Sequence, residues 1–267
     1  MESYSVAEAY FKEADNPKSF QYISSPFYAY LYMPGRYQIV VIDDEKTLVS
    51  VGSGTCYAPM FNPSFPYDKL PVKFAGKNII MPFFTSKKLD TMGIVRRTGA
   101  VLNYYNIKNF FERTPEKVME KVRKCSKDNS LKFREEMPNR KESLHFLGQM
   151  KRELLKRYSR VYFIPSKRFM DMPVGIGEWH SFTTRINGNL VGWHGVYVSE
   201  EMVCHFMGLQ ERITGLSEYM QYNVWKIMLE KGYNILSDGE TFGNTLQKFK
   251  EKFKPYRKEM VFLVRLP

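Results

Sequence analysis

A strand–turn–helix–strand run near the C-terminus constrains this chain more than anything else in it. Residues 182–186 and 190–194 flank Asn187-Gly188. That pair supplies the two positive-φ residues of a type I′ turn, so the segments form a hairpin. Residues 202–209 make the next strand. Leu216, Tyr219, Met220, Val224, Ile227 and Met228 then trace one helix face, and Gly232 stands where a left-handed residue ends a helix. Residues 233–238 are a strand again, parallel to 202–209, because strand–helix–strand makes a right-handed crossover. A basic helix over 244–253 and a strand over 260–264 complete the pattern. Such an order folds as α/β (α+β): a mixed twisted sheet with flanking helices.

The junction before the amphipathic helix reads Leu209-Gln210-Glu211-Arg212-Ile213-Thr214-Gly215-Leu216-Ser217. The first N–H groups of a helix lack intrahelical partners, and the helix dipole adds partial positive charge there. A strand entering a small-residue turn and then a helix is therefore an anion site suited to a phosphate-bearing ligand. Arg212 adds a guanidinium. The plainer alternative is an ordinary turn with a solvated arginine, and Glu211 beside it as its ion-pair partner.

Upstream, helices are expected over 6–13 and 106–128, the latter strongly basic. A hairpin joins 37–42 to 47–51, and 78–84 is a strand. Pro59, Pro63, Pro66 and Pro71 break any long element over 58–75. Leu144, Leu147, Met150, Leu154 and Leu155 recur at helical spacing, opposite Lys151, Arg152, Lys156 and Arg157. Each half begins with helical material and then a hairpin, a weak internal echo.

The 267 residues allow one large domain or two medium ones. A hydrophobic share of 43% excludes a disordered chain. No apolar run approaches the ~18 residues of a membrane span, and Met1-Glu2-Ser3-Tyr4-Ser5 lacks a signal-peptide pattern. Cys56, Cys125 and Cys204 are scattered, without metal-ligand or disulfide spacing, so a reduced cytoplasmic protein without a metal is expected. Nothing in the sequence places a His or an acid to activate Cys125 or Cys204. Gly52-Ser53-Gly54 lacks the third glycine and the helix of a dinucleotide fingerprint. The net charge of +12 attracts polyanions. The basic stretches 117–134 and 151–157, with Tyr and Phe nearby, suit tRNA or DNA, or are simply solvated helix faces.

Acyl transfer to an amine needs a proton acceptor. Asp238 and Glu240 end a strand two residues apart, so an extended chain points both the same way. His205 is in phase with Val203 and Met207, the pattern of a packed core residue. Trp179/His180 and Trp193/His194 fall on neighbouring strands as aromatic walls of an acceptor pocket or, more simply, as sheet packing.

From about Lys141 onward the order of elements resembles the GNAT acyltransferase superfamily. Arg212-Ile213-Thr214-Gly215-Leu216-Ser217 matches the Arg and the first Gly of its Arg/Gln-x-x-Gly-x-Gly/Ala acyl-CoA motif, with Ser217 where Gly or Ala is usual. Leu246-Gln247-Lys248-Phe249-Lys250-Glu251-Lys252-Phe253, after Ser237-Asp238-Gly239, resembles the Asp-x-Gly … Leu-x-x-Phe-Lys-x-x-Phe ending of the FemAB-like branch. That branch pairs GNAT modules with a degenerate first one; some members take aminoacyl groups from tRNA and others use acyl-CoA. The resemblance implies a degenerate GNAT-like or accessory module over 1–140 and a GNAT module over 141–267. It implies an N-acyltransferase that moves an acyl group from acyl-CoA (acetyl-CoA) to an amine-bearing acceptor by direct attack. The alternatives are a tRNA-dependent aminoacyl transferase and a non-catalytic nucleic-acid-binding protein. By the same resemblance, Arg212, Gly215, Ser217 and Asn244 hold the donor, and backbone N–H groups near Leu209 and Gln210 hold the oxyanion. Glu240 or Asp238 acts as base, Lys250 offsets negative charge, and Tyr256 is the acid.

Overall fold

The computed structural model describes residues 2–13, 25–33, 35–84, 96–154, 164–172, 177–241 and 243–266. The chain divides into two compact units. One comprises Met1–Leu102, Glu240–Gln247 and Lys258–Pro267; the other comprises Asn103–Gly239 and Lys248–Arg257. The first unit's long N-terminal segment ends at Leu102, and two C-terminal segments return to that unit.

In the first unit, α1 (Glu2–Glu13) and α2 (Pro26–Tyr32) precede the hairpin β1 (Arg36–Ile42) and β2 (Glu45–Val51). The hairpin turns on Asp43 and Asp44, both at positive φ (51° and 64°), as a two-residue primed turn demands. Helix α2 was not expected from its Tyr/Phe-rich sequence. It starts because Ser25 Oγ accepts the Phe27 N–H at 3.1 Å and Pro26 occupies the first turn. Then come β3 (Thr55–Tyr57), the short α3 (Leu70–Lys73), β4 (Asn78–Phe84), and β5 (Arg96–Asn106), which begins here and runs on into the second unit. The final strand, β11 (Arg257–Leu266), gives the order β1-β2-β3-β4-β11-β5. The buried Tyr67 hydroxyl donates to Pro59 O at 3.1 Å and bonds Thr47 Oγ1 at 3.1 Å, which ties the Pro-rich stretch to β2.

The second unit contains α4 (Ile107–Glu112), α5 (Glu116–Ser126), β6 (Leu131–Glu135), α6 (Arg140–Leu154) and α7 (Ile164–Phe169). These lead to β7 (Trp179–Ile186), β8 (Asn189–Ser199), β9 (Met202–Gln210), α8 (Leu216–Glu230), β10 (Ile235–Thr241) and α9 (Asn244–Glu251), of which residues 240–241 and 244–247 belong to the first unit. Its strand order is β5-β10-β9-β8-β7-β6. The Asn187-Gly188 hairpin forms as expected, with φ of 50° and 84°, and β9 and β10 are parallel. The single helix expected over 106–128 is instead two, because Pro115 lacks a donor and disfavours helix in the residue before it. Strand β6 was not foreseen: it pairs with β7 alone, and its charges suit an edge strand. Leu155, Lys156 and Arg157 lie outside the described residues. Among the described residues no helix is long and apolar enough to cross a membrane.

Helix α8 fills the core of this unit with Val224, Trp225 and Met228, all fully buried. The Trp225 ring lies 4.7 Å from Tyr105, 4.9 Å from Phe110 and 5.2 Å from Phe253. Strand β5, helix α4 and the turn just past α9 therefore meet on one side chain. Trp225→Ala removes that junction and should destabilise the protein by about 3–5 kcal/mol, read as a lower midpoint in denaturant unfolding.

Candidate active site

The parallel ladder between β9 and β10 covers only Ile235↔Met202, Leu236↔Val203 and Ser237↔Cys204. Beyond it β9 continues to Gln210 on its pairing with β8. That pairing carries a bulge: Gly195 faces Met207 and Val196 faces His205, which leaves Phe206 as the extra residue. Gly195 is needed there, because a Cβ would sit 2.6 Å from the Phe206 ring. On the other side, Gly239 takes φ of 65° and turns β10 off its line.

Polar side chains collect where the strands part. His205 and Asp238 are each the first residue past the last ladder pair. His205 Nε2 donates to Met207 O at 3.0 Å, and its Nδ1 stands 3.5 Å from Asp238 Oδ1. Lys250 is 5% exposed. Its ammonium donates to the carbonyls of Asp238 and Gly239, and it lies 3.6 Å from Asp238 Oδ2. The His194 ring is 4.9 Å from that of His205. His194 Nε2 meets Gln210 Oε1 at 3.0 Å, and Gln210 Nε2 donates to Ser217 Oγ at 2.8 Å. The buried Gln221 on α8 also faces Asp238.

Burial raises the Asp238 carboxyl above its usual range, against the pull of Lys250 and His194. Burial also holds His194 down to about 3, helped by His205, and His205 down to about 4, helped by Lys250. Both imidazoles are therefore neutral near pH 7.

At the β9–α8 turn, Gly215 is the residue before the helix and takes φ of 87°; a Cβ there would sit 3.2 Å from Lys121 O. A carboxylate already sits at this helix end. Glu218, in the first turn, is 4% exposed and accepts its own N–H. Its Oε1 also takes Lys121 Nζ at 2.6 Å and Lys252 Nζ at 3.2 Å. Burial opposes its charge, but the lysines and the backbone N–H outweigh that and keep it below the usual carboxylate range.

The structure thus brings Asp238 and Lys250 together, and links Ser217 to His194 through Gln210. Leu209 is buried, Arg212 is exposed on the turn, and Asn244 is exposed at the start of α9. Asp238 and Glu240 do not share surroundings, because the left-handed Gly239 breaks the strand alternation. Glu240 instead lies in the first unit, and its charge adds to the burial that raises Tyr28 and Tyr57. Tyr256 is 56% exposed, with its N–H on Tyr104 O. The two Trp-His pairs part company. Trp193 packs and donates to Ser181 Oγ at 2.9 Å, whereas His180 sits between Glu135 and Glu178. Sequence reasoning took His205 for core, His194 for a pocket wall or sheet packing and Lys121 for part of a basic helix, and it passed over Glu218. Cys125 and Cys204 are buried, and burial raises both thiols. Among the described residues no His, Cys, Asp and Glu group could hold a metal ion.

A groove of about 530 Å³ flanks the same turn, lined by Glu142, His145, Gln149, Asn187, Glu211 and Ile213 among others. Its Glu142 is already held by Arg185 through two contacts, and none of the splay residues lines it.

The depressed imidazoles fix a pH dependence. Between about pH 6.5 and pH 4 the unfolded chain protonates histidines that the folded chain keeps neutral. Their contribution to stability is therefore present above 6.5 and lost as pH falls toward 4. Asp238 acts with the opposite sign, since its raised value favours the protonated fold as pH falls. His194→Gln should flatten the decline between pH 6.5 and 4.5 by up to one proton's slope, measured by urea unfolding at each pH.

No family model and no curated protein matches this chain. Solved structures do. One is the C-terminal domain (DUF2156) of a putative lysylphosphatidylglycerol synthetase from Agrobacterium fabrum, with a TM-score of 0.63 and 12% identity over 99% of this chain and 91% of that one. FemX matches with a TM-score of 0.56 and 11% identity over 98% and 95%. A tandem GNAT protein from the clavulanic acid biosynthesis pathway matches with a TM-score of 0.56 and 10% identity over 98% and 94%. The chain has a GNAT-like fold, mixed α/β, with FemX and a tandem GNAT protein among its structural neighbours.

Proposed function

We propose that this protein is a transferase that moves an aminoacyl group from the ester of an aminoacyl-tRNA to an amine acceptor. The observation that carries the choice of donor is Glu218. A resident carboxylate, clamped by Lys121 and Lys252, stands in the first turn of that helix and repels a pyrophosphate at its N-terminus. A donor whose reactive ester enters the splay, and whose phosphates meet lysines at the surface, does not need that position. Lys117 and Lys124 are exposed on α5, which carries Lys121, and Lys248 and Lys254 are exposed on and just past α9, near Lys252. The resemblance of residues 246–253 to the ending of the FemAB-like branch supports the same donor, and FemX is among the structural neighbours.

In this reading the acceptor amine attacks the ester carbonyl between β9 and β10. Past Ser237↔Cys204 the β9–β10 ladder ends, while β9 stays paired with β8 as far as Gln210, so the oxyanion would be held by N–H groups of β9 near Leu209 and Gln210 that point away from β8. Asp238 is the proton acceptor. Lys250, saturated by strand carbonyls, stands as a fixed positive charge behind it.

Acyl-CoA is the second reading, favoured by the left-handed Gly215 and the exposed Arg212 on the turn. Thermal unfolding with aminoacyl-tRNA, deacylated tRNA and acetyl-CoA separates the two. A ligand at 100 times its Kd adds about 2.7 kcal/mol. Stabilisation by tRNA should be steeply weakened by salt, and labelled amino acid should pass from tRNA to an added amine. Stabilisation by acetyl-CoA alone would overturn the tRNA donor. Binding of tRNA without turnover would leave a nucleic-acid-binding module.

A further inference from the structure

We infer that His205 and Asp238 form a proton-sharing pair at the point where β9 and β10 part, and that this pair receives the proton of the attacking acceptor. The inference rests on the transferase reading for its chemistry, but its geometry stands in the protein alone.

The Met207 carbonyl can only accept, so His205 Nε2 keeps its hydrogen in every state, at 3.0 Å. Nδ1 is then the only ring atom that can gain or lose a proton. It faces Asp238 Oδ1 at 3.5 Å and has no other partner. With one proton between them the two atoms attract and can close to a hydrogen bond. Without it, two lone pairs face each other in a buried site. The proton therefore belongs to the pair and not to either residue.

The surroundings set how firmly it is held. Lys250 approaches from α9, 3.6 Å from Asp238 Oδ2, and favours the state with the proton gone. It cannot move to meet the substrate, because its ammonium is committed to the carbonyls of Asp238 and Gly239. From β8, the His194 ring lies 4.9 Å from His205, with its buried Nδ1 unpartnered. From α8, Gln221 faces Asp238, and its buried Nε2 makes no hydrogen bond of good geometry. Desolvation drives Asp238 up and His205 down, which brings the two affinities for the proton toward each other. A matched pair is what a reversible proton acceptor requires.

The step balances as follows. The acceptor nitrogen bonds to the ester carbonyl carbon, and the π pair moves onto the carbonyl oxygen. One N–H proton passes to the Asp238 carboxylate and is shared with His205 Nδ1. The tetrahedral adduct collapses, the C–O bond to the ribose breaks, and the pair returns the proton to the departing hydroxyl. Asp238 is the catalytic residue of the two. His205 acts through it and is a positioning residue.

The test has two arms. In the ligand-free protein, nitrogen-15 NMR of the histidines reads the protonation of His205 Nδ1 against pH, with Asp238→Asn beside the wild type. The expected result is a His205 titration that moves by at least a unit when the carboxylate is removed. A titration unmoved by Asp238→Asn overturns the pair, whether or not the protein is active. In the transfer assay, Asp238→Asn should lower kcat by about 10²–10⁴-fold. His205→Gln, which keeps a donor for Met207 O, should displace the alkaline-rising limb of the pH–rate profile with KM little changed. A purely structural His205 would cost stability and leave that limb in place, overturning its role. Coupled titration in a protein inactive with both donors overturns the transferase reading and the proton-taking role together.

Discussion

The Lys250 ammonium beneath the bend of β10 holds the second unit's chemistry in place. A buried cation is costly unless its donors are met. Here two strand carbonyls and the Asp238 carboxylate surround it. Gly239 makes this possible, because only its left-handed turn presents successive carbonyls to one ammonium. Once β10 bends, it can no longer pair with β9, and the backbone and side chains past Cys204 are released for other uses. The bulge at Phe206 does the matching work on the β9 side. It holds Met207 O against His205 Nε2 and so fixes which imidazole nitrogen faces the aspartate.

The helix that follows β9 shows a second dependence. Its N-terminus would attract any phosphate that reached it, yet Glu218 holds that position with two lysines. The lysines come from α5 and from just past α9, so the same ion cluster that neutralises the helix end also joins three helical segments. A ligand that displaced Glu218 would have to replace both ammonium contacts and desolvate its own charge. The polar chain from Ser217 through Gln210 to His194 connects this helix end to the splay.

Much of the architecture was legible because local chemistry dictates it. Asn187-Gly188 forces a tight hairpin whatever surrounds it, and the apolar spacing from Leu216 to Met228 describes one buried face. The elements that escaped are those whose local signal is weak. Strand β6 is short and charged, and only its place beside β7 makes it a strand. The break at Pro115 was present in the sequence, but the basic run around it read as one helix.

At the site, the sequence determined the ingredients: an Asp-Gly strand end, a lysine in the basic helix that follows it, a small-residue turn, and histidines in strand phase. Only the tertiary structure decided their partners. Alternation along an extended chain pairs Asp238 with Glu240, and one left-handed residue undoes that. His205 reads as a packed core residue until a bulge and an opening ladder place it against a carboxylate. A sequence specifies such dihedrals one residue at a time, whereas proton sharing depends on distances between segments that only folding brings together.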